Sequence, residues 1–133
     1  MKYKNDESKK VLVIEDQVSA MVPIVSILEN LKMNVCYVFS YKNFENVILK
    51  EKYDYYIIDW TVPPHSGQEI VLLIEKHLQK FYSGSVSKLF IYSGQNLSLS
   101  EIPELKRLRY CGHWKKGENI AHLVRQVNRS LNS

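Results

Sequence analysis

Apolar residues along this chain gather in short runs, separated by longer stretches where they recur every three or four positions. Short runs read as buried strands, and the longer recurrence reads as amphipathic helix. Residues 11–14 predict a first strand, ending at Glu15-Asp16. From Ser19 to Lys32, the residues Met21, Ile24, Leu28 and Leu31 form the buried stripe of a first helix. Ser19 is its expected N-cap, and Pro23 falls in its first turn, where backbone N–H groups lack helical partners. Residues 34–39 predict a second strand, and residues 41–50 a second helix burying Phe44, Val47 and Ile48.

The run Tyr55-Tyr56-Ile57-Ile58-Asp59 predicts a central strand. Pro63, Pro64, Ser66 and Gly67 forbid its continuation. A third helix runs from Gly67 to about Tyr82, with His77 on its apolar side as a satisfied core or edge histidine. Residues 88–92 predict a fourth strand ending at Ser93-Gly94. Residues 101–109 are expected to form a short helix capped by Ser98 or Ser100, with Ile102, Leu105 and Leu108 inward. Residues 112–115 are a poor strand by propensity, but the alternation demands one there. A last helix, 118–131, carries Ile120, Leu123, Val124, Val127 and Leu131 as its stripe, with Glu118 at its positive end.

The alternation predicts an α/β fold: (βα)5, a doubly wound five-stranded parallel sheet with helices on both faces. Residues 1–9 read as a flexible polar lead-in and 10–133 as one domain. Apolar content of 45% and charged content of 24% are ordinary for a globular protein. No apolar run approaches the roughly 20 residues of a membrane helix, and the charged N-terminus lacks a signal peptide's apolar core. A cytoplasmic location is the expectation. Cys36 and Cys111 are too few for a disulfide framework and lack metal-site spacing. A net charge of +4 is spread along the chain, so direct contact with nucleic acid is not expected.

A doubly wound sheet binds its ligand beyond the carboxyl ends of its strands. At those ends the sequence puts Glu15 and Asp16, Asp59, Ser93, and Lys115-Lys116. Alone, Asp59 reads as a helix cap or a turn-starting residue. Together, three carboxylates repel by about 4 kcal/mol for a pair ~4 Å apart at an effective dielectric of 20. A hard divalent cation such as Mg²⁺ would keep them ionised. A carboxylate at such a centre suits nucleophilic attack on phosphorus, with an ammonium group to neutralise phosphoryl charge and a hydroxyl to bond the product.

In this order and spacing the residues resemble the receiver domain of two-component response regulators, of the single-domain chemotaxis-regulator kind. Glu15-Asp16 matches the acidic pair. Asp59, with Pro63 and Gly67 after it, matches the phosphoacceptor loop. Ser93 matches the switch Ser/Thr, and Lys116, seven residues before Leu123, matches the invariant Lys. The resemblance spans about residues 10–131. It implies the flavodoxin-like strand order 2-1-3-4-5 and phosphoryl transfer to Asp59 from a histidine kinase or histidine phosphotransfer protein. It also implies Mg²⁺ held by Asp16, Asp59 and the Thr61 carbonyl, with Glu15 acting through water. Ser93 and His113 would be the switch pair. Phosphorylation would then change a face made of helix four, strand five and helix five, or the phosphate would be relayed onward.

The chain departs from the pattern in places. Gly117 stands where the family has Pro after the Lys, which leaves Lys115 as an alternative to Lys116. Gly94 replaces the usual Ala, Thr61 and Gln95 hold the positions that tune phosphate lifetime, and bulky Trp60 is expected on the strand side opposite Asp59. Tyr110, Trp114, Lys106, Arg107 and Arg109 mark either a partner surface or a solvated helix. Three other readings stay open: a receiver-like module indifferent to phosphorylation, a receiver cut from a longer regulator or hybrid kinase, and an unrelated enzyme on the same architecture.

Overall fold

Five of the apolar runs form one parallel sheet. In the computed structural model, which describes residues 9–38, 41–62, 65–94, 97–116 and 121–131, its strands are β1 (Lys10–Ile14), β2 (Asn34–Val38), β3 (Tyr55–Asp59), β6 (Ser87–Ser93) and β7 (Leu108–Lys115). A two-stranded antiparallel ribbon, β4 (Thr61–Val62) with β5 (His65–Ser66), interrupts the series. The sheet order is β2-β1-β3-β6-β7, which is 2-1-3-4-5 counted over the five parallel strands. The helices are α1 (Val18–Asn30), α2 (Tyr41–Lys50), α3 (Gly67–Phe81) and α4 (Ala121–Leu131). No described helix is long and apolar enough to cross a membrane.

Central position explains the composition of β3. It pairs with β1 on one side and β6 on the other, and all five of its residues are buried. Strict alternation then feeds two cores. Tyr56 and Ile58 join Leu12, Ile14, Phe44, Ile48, Ile70, Ile74 and Leu78 on one face, with Trp60 packed against them. Tyr55 and Ile57 join Val11, Val13, Met21, Ile24, Leu28, Phe90 and Trp114 on the other. Trp60 thus lies with the even-numbered β3 residues, on the side opposite the odd-numbered set, as the alternation requires. Fully buried Tyr56 keeps its hydroxyl bonded, accepting from the Tyr53 N–H at 3.1 Å.

Helix α1 starts one residue earlier than its sequence suggests. Its N-cap is Gln17, not Ser19, and no side chain caps it. The start is set instead by the Glu15 carboxylate, which accepts the Gln17 N–H at 3.0 Å. Pro23 consequently lies in the second turn rather than the first. The helix ends with Lys32 in the left-handed region at φ 67, and the N–H groups of Lys32 and Met33 bond back to Glu29 and Leu28. His77 behaves as expected: buried, its Nε2 lies 3.3 Å from the Glu51 carbonyl and its ring meets Phe81 and Tyr82. Both cysteines are free and half-buried.

The expected helix at 101–109 is absent. A single 3₁₀ turn at Leu99–Glu101, capped by Ser98, is followed by irregular chain, and β7 begins at Leu108 rather than Gly112. Pro103 is the reason: it disfavours helical backbone at Ile102, which adopts φ -81, ψ 120. Buried Glu75 of α3 supplies what a helix would have supplied. Its carboxylate accepts the N–H of Arg107 at 2.9 and 3.0 Å and that of Leu108 at 2.9 Å, while Gln79 donates at 2.6 Å. Arg107 also donates to the Ser83 carbonyl, so it is not a solvated helix residue. Trp114 is buried and stacks on Tyr92 at 4.3 Å, which removes it from any exposed partner surface.

Glu75→Ala is therefore expected to destabilise the fold by about 3 kcal/mol in urea unfolding, since buried N–H groups lose a charged acceptor. Burial alone would raise the Glu75 pKa, but bonds from Gln79 and from the backbone of Arg107, Leu108 and Lys106 outweigh it and leave it lowered. Its contribution is then complete above the ordinary glutamate pKa of about 4.3 and is lost as pH falls through the folded value. The gap between wild type and Glu75→Ala should narrow on acidification below about pH 4. A gap independent of pH would show that the carboxylate charge is not what holds β7.

Candidate functional site

Three strands end at one place. Glu15 and Asp16 follow β1, Asp59 closes β3, and Ser93 closes β6. Backbone bonds run the sheet slightly past these ends: Glu15 N–H to the Val38 carbonyl at 3.1 Å, Trp60 N–H to Tyr92 at 3.0 Å, and Lys116 N–H to Ser93 at 2.7 Å. The last of these delivers the Lys116 side chain to the acids. Its Nζ lies 2.9 Å from Asp59 Oδ2 and 3.1 Å from Glu15 Oε1. Of the two candidate lysines, Lys116 is the one shown bridging the acids. Lys115 pairs in register with Ser93.

Burial sharpens the electrostatics. Glu15 is 0% exposed and Asp59 2%, whereas Asp16 faces solvent. Burial, a hydrogen bond with the Asp59 carboxyl and the Asp59 charge push the Glu15 pKa up to about 8, against the Gln17 N–H. Two carboxyls this close and out of water resist being ionised together. Burial would lower the Lys116 pKa, but the Asp59 and Glu15 carboxyls more than offset it and raise it. The Lys116 Nζ also sits 5.1 Å above the Tyr92 ring, which rests on Trp114.

Oxygens of Glu15, Asp16 and Asp59 lie within 4.8 Å of one another. Opposite ligands of an octahedral Mg²⁺ are about 4.2 Å apart, so the set fits such an ion with a contraction of a few tenths of an ångström, or with Glu15 reaching it through water. The all-oxygen donor set suits a hard divalent cation. Thr61 is in β4, two residues beyond Asp59, its position fixed by pairing with Ser66.

The loop after Asp59 is held by shape. Gly67 donates its N–H to the Trp60 carbonyl at 2.7 Å, and a Cβ there would lie 2.7 Å from Trp60 Cα and 2.4 Å from its ring. Ser66 caps α3 reciprocally with Glu69. Half-buried His113 lies opposite Ile91, on the core face that includes Ile91. Gln95 and the Lys116-Gly117 bond lie outside the described residues. Glu75 and Trp60 were not singled out as site supports from sequence. Trp60 was legible only as bulk, and the backbone partners of Glu75 lie more than thirty residues away.

No protein-family model and no curated protein matches the chain. Solved structures do. A CheY-like response regulator receiver domain from Methylobacillus flagellatus is 25% identical, covers 92% of this chain and 98% of its own, and superimposes with a TM-score of 0.70. The receiver domain of a sensor histidine kinase from Pseudomonas aeruginosa, with magnesium coordinated in its active-site cleft, is 17% identical over 95% of this chain and 99% of its own, at 0.69. A chemotaxis protein of Vibrio cholerae is 17% identical over 92% and 98%, at 0.71.

The two glycines near the site should respond oppositely. Gly67→Ala should cost about 1–3 kcal/mol, because Trp60 backbone cannot yield. Among the described residues a Cβ on Gly94 would meet only Lys116 carbons at 4.0 Å, so Gly94→Ala should be neutral or stabilise by up to about 1 kcal/mol. Thermal unfolding of both variants checks this; equal losses would refute the assigned contacts.

Proposed function

Since the chain has the fold of a CheY-like response-regulator receiver domain, we propose that it is a phosphoacceptor switch in which Asp59 receives a phosphoryl group. The observation that carries this reading is the Lys116 ammonium, placed between two buried carboxyls at the strand ends. Asp59 attacks the phosphorus of a phosphohistidine donor. The new P–O bond forms as the donor P–N bond breaks, and the imidazole leaves with a proton from water. Lys116 turns its ammonium to the transferred oxygens and stabilises charge developing there. Ser93 supplies a hydroxyl for the product phosphate, and His113 follows it inward.

Asp16, Asp59 and the Thr61 carbonyl would hold Mg²⁺, with Glu15 reaching it through water. When bound, the ion offsets negative charge on the phosphoryl group. The phosphodonor is a histidine kinase or a histidine phosphotransfer protein, and a downstream protein reads the result. In this reading, because no helix spans 101–109, the proposed readout face is β7, α4 and the non-helical segment 102–107.

Incubation with Mg²⁺ and a small-molecule phosphodonor should add one base-labile phosphoryl group by intact mass. Asp59→Asn should abolish the adduct. A wild-type protein that binds Mg²⁺ but takes no phosphoryl group would favour a module that signals without phosphorylation, and an adduct surviving in Asp59→Asn would assign the wrong acceptor.

A further inference from the structure

From Lys88 onward the chain has eight Lys and Arg residues against three acids, an imbalance that its overall charge conceals. Part of it surrounds one cleft. Between β7 and the C-terminal half of α4 lies a space of about 370 Å³, lined by Lys88, Phe90, Arg109, Tyr110, Cys111, Gln126, Arg129 and Ser130. Three of these carry positive charge and none carries negative charge. We infer that this cleft binds a compact anion of the diphosphate class, either free or as part of a nucleotide.

The charge arrangement is costly as it stands. Lys88 and Arg109 are direct cross-strand partners, where like charges destabilise a sheet. Arg129 from α4 adds a third cation to the same cleft. Among the described residues neither Arg109 nor Arg129 is paired with a carboxylate, and both are exposed. Lys88 donates to the Ser130 carbonyl at 2.8 Å, which fixes its ammonium beside the cleft and leaves two of its three N–H donors for a ligand.

The backbone makes room for the ligand. A bulge at Cys111 shifts register, so that Leu89 pairs with Tyr110 but Phe90 pairs with Gly112. Gly112 lets α4 approach closely, since a Cβ there would lie 2.9 Å from Gln126 Oε1. The space lies at the amino ends of β6 and β7, away from Asp59.

Two guanidinium forks pair bidentately with phosphate oxygens, and an ammonium adds a point charge. Three cations around so small a volume call for several negative charges at short spacing, which a diphosphate carries and a single side-chain carboxylate does not. The volume lies at the low end of the roughly 300–1,000 Å³ range of small-molecule sites.

Titration calorimetry on the full chain, in EDTA and at low ionic strength, tests this with inorganic diphosphate and ADP as probes. Either probe should bind at one site per chain. Arg109→Gln and Arg129→Gln should each weaken it at least about tenfold. Removing twice that charge elsewhere, with Lys76→Gln plus Lys80→Gln, should leave binding within about twofold, as should Asp59→Asn. Tighter ADP than diphosphate would identify a nucleotide, and the reverse a free diphosphate. Binding of neither probe overturns the inference, as does citrate binding as tightly as diphosphate or equal weakening in the Lys76/Lys80 variant. The thermal midpoint of unliganded Arg129→Gln confirms folding, because that side chain is on an exposed helix surface. Since Asp59 takes no part, failure here leaves the phosphoacceptor reading intact, and failure of phosphorylation leaves this one intact.

Discussion

Two carboxyl groups buried side by side are the constraint around which the rest of the molecule is arranged. Glu15 and Asp59 are almost fully removed from water, and both cannot stay ionised there without a cation. Lys116 is the cation the chain provides, and it comes from 57 residues beyond Asp59. Its approach depends on the last sheet strand ending in register with Ser93, on the Tyr92–Trp114 stack beneath its ammonium, and on the bulge that sets which side each β7 residue faces. One lysine offsets only one of the two charges the pair would carry with both carboxyls ionised, and Asp16 adds a third carboxyl beside them.

The far side of the sheet shows a different solution to a similar problem. Where the alternation called for a fourth helix, Pro103 prevents it and the chain crosses without regular structure. Its last N–H groups then lack helical partners, and an acid on α3 takes them up. One carboxylate thus replaces a turn of helix in fixing the entry to β7, and with it the position of Lys116 eight residues past Leu108. The surface that would transmit a signal is remodelled in consequence, while the acidic end is not.

Charge is divided between the two ends of the strands. Carboxyl ends gather Glu15, Asp16 and Asp59, while the amino ends of β6 and β7 gather Lys88 and Arg109. Parallel strands make this separation possible, because residues at corresponding points in successive strands come to the same edge of the sheet. Each cluster is assembled from side chains on different strands.

Much of this was legible in the residues themselves. Short apolar runs placed the first four strands, because a buried parallel strand tolerates little but apolar side chains, while the fifth was placed only by the alternation and begins four residues earlier than expected. The strand ends then offered Glu15, Asp16, Asp59, Ser93 and Lys115-Lys116, since that is where a doubly wound sheet exposes its chemistry, and the resemblance chose Lys116 of the two. What the residues could not disclose are contacts between distant segments. Trp114 looked like a surface aromatic until the bulge turned it into the core. Residues 101–109 had helical spacing, but spacing does not register a proline's effect on its neighbour or an acceptor waiting on α3. Glu75 itself reads as an ordinary polar position on a helix. Only packing buries it, and a buried carboxylate is held in place by whatever donors the rest of the fold brings to it.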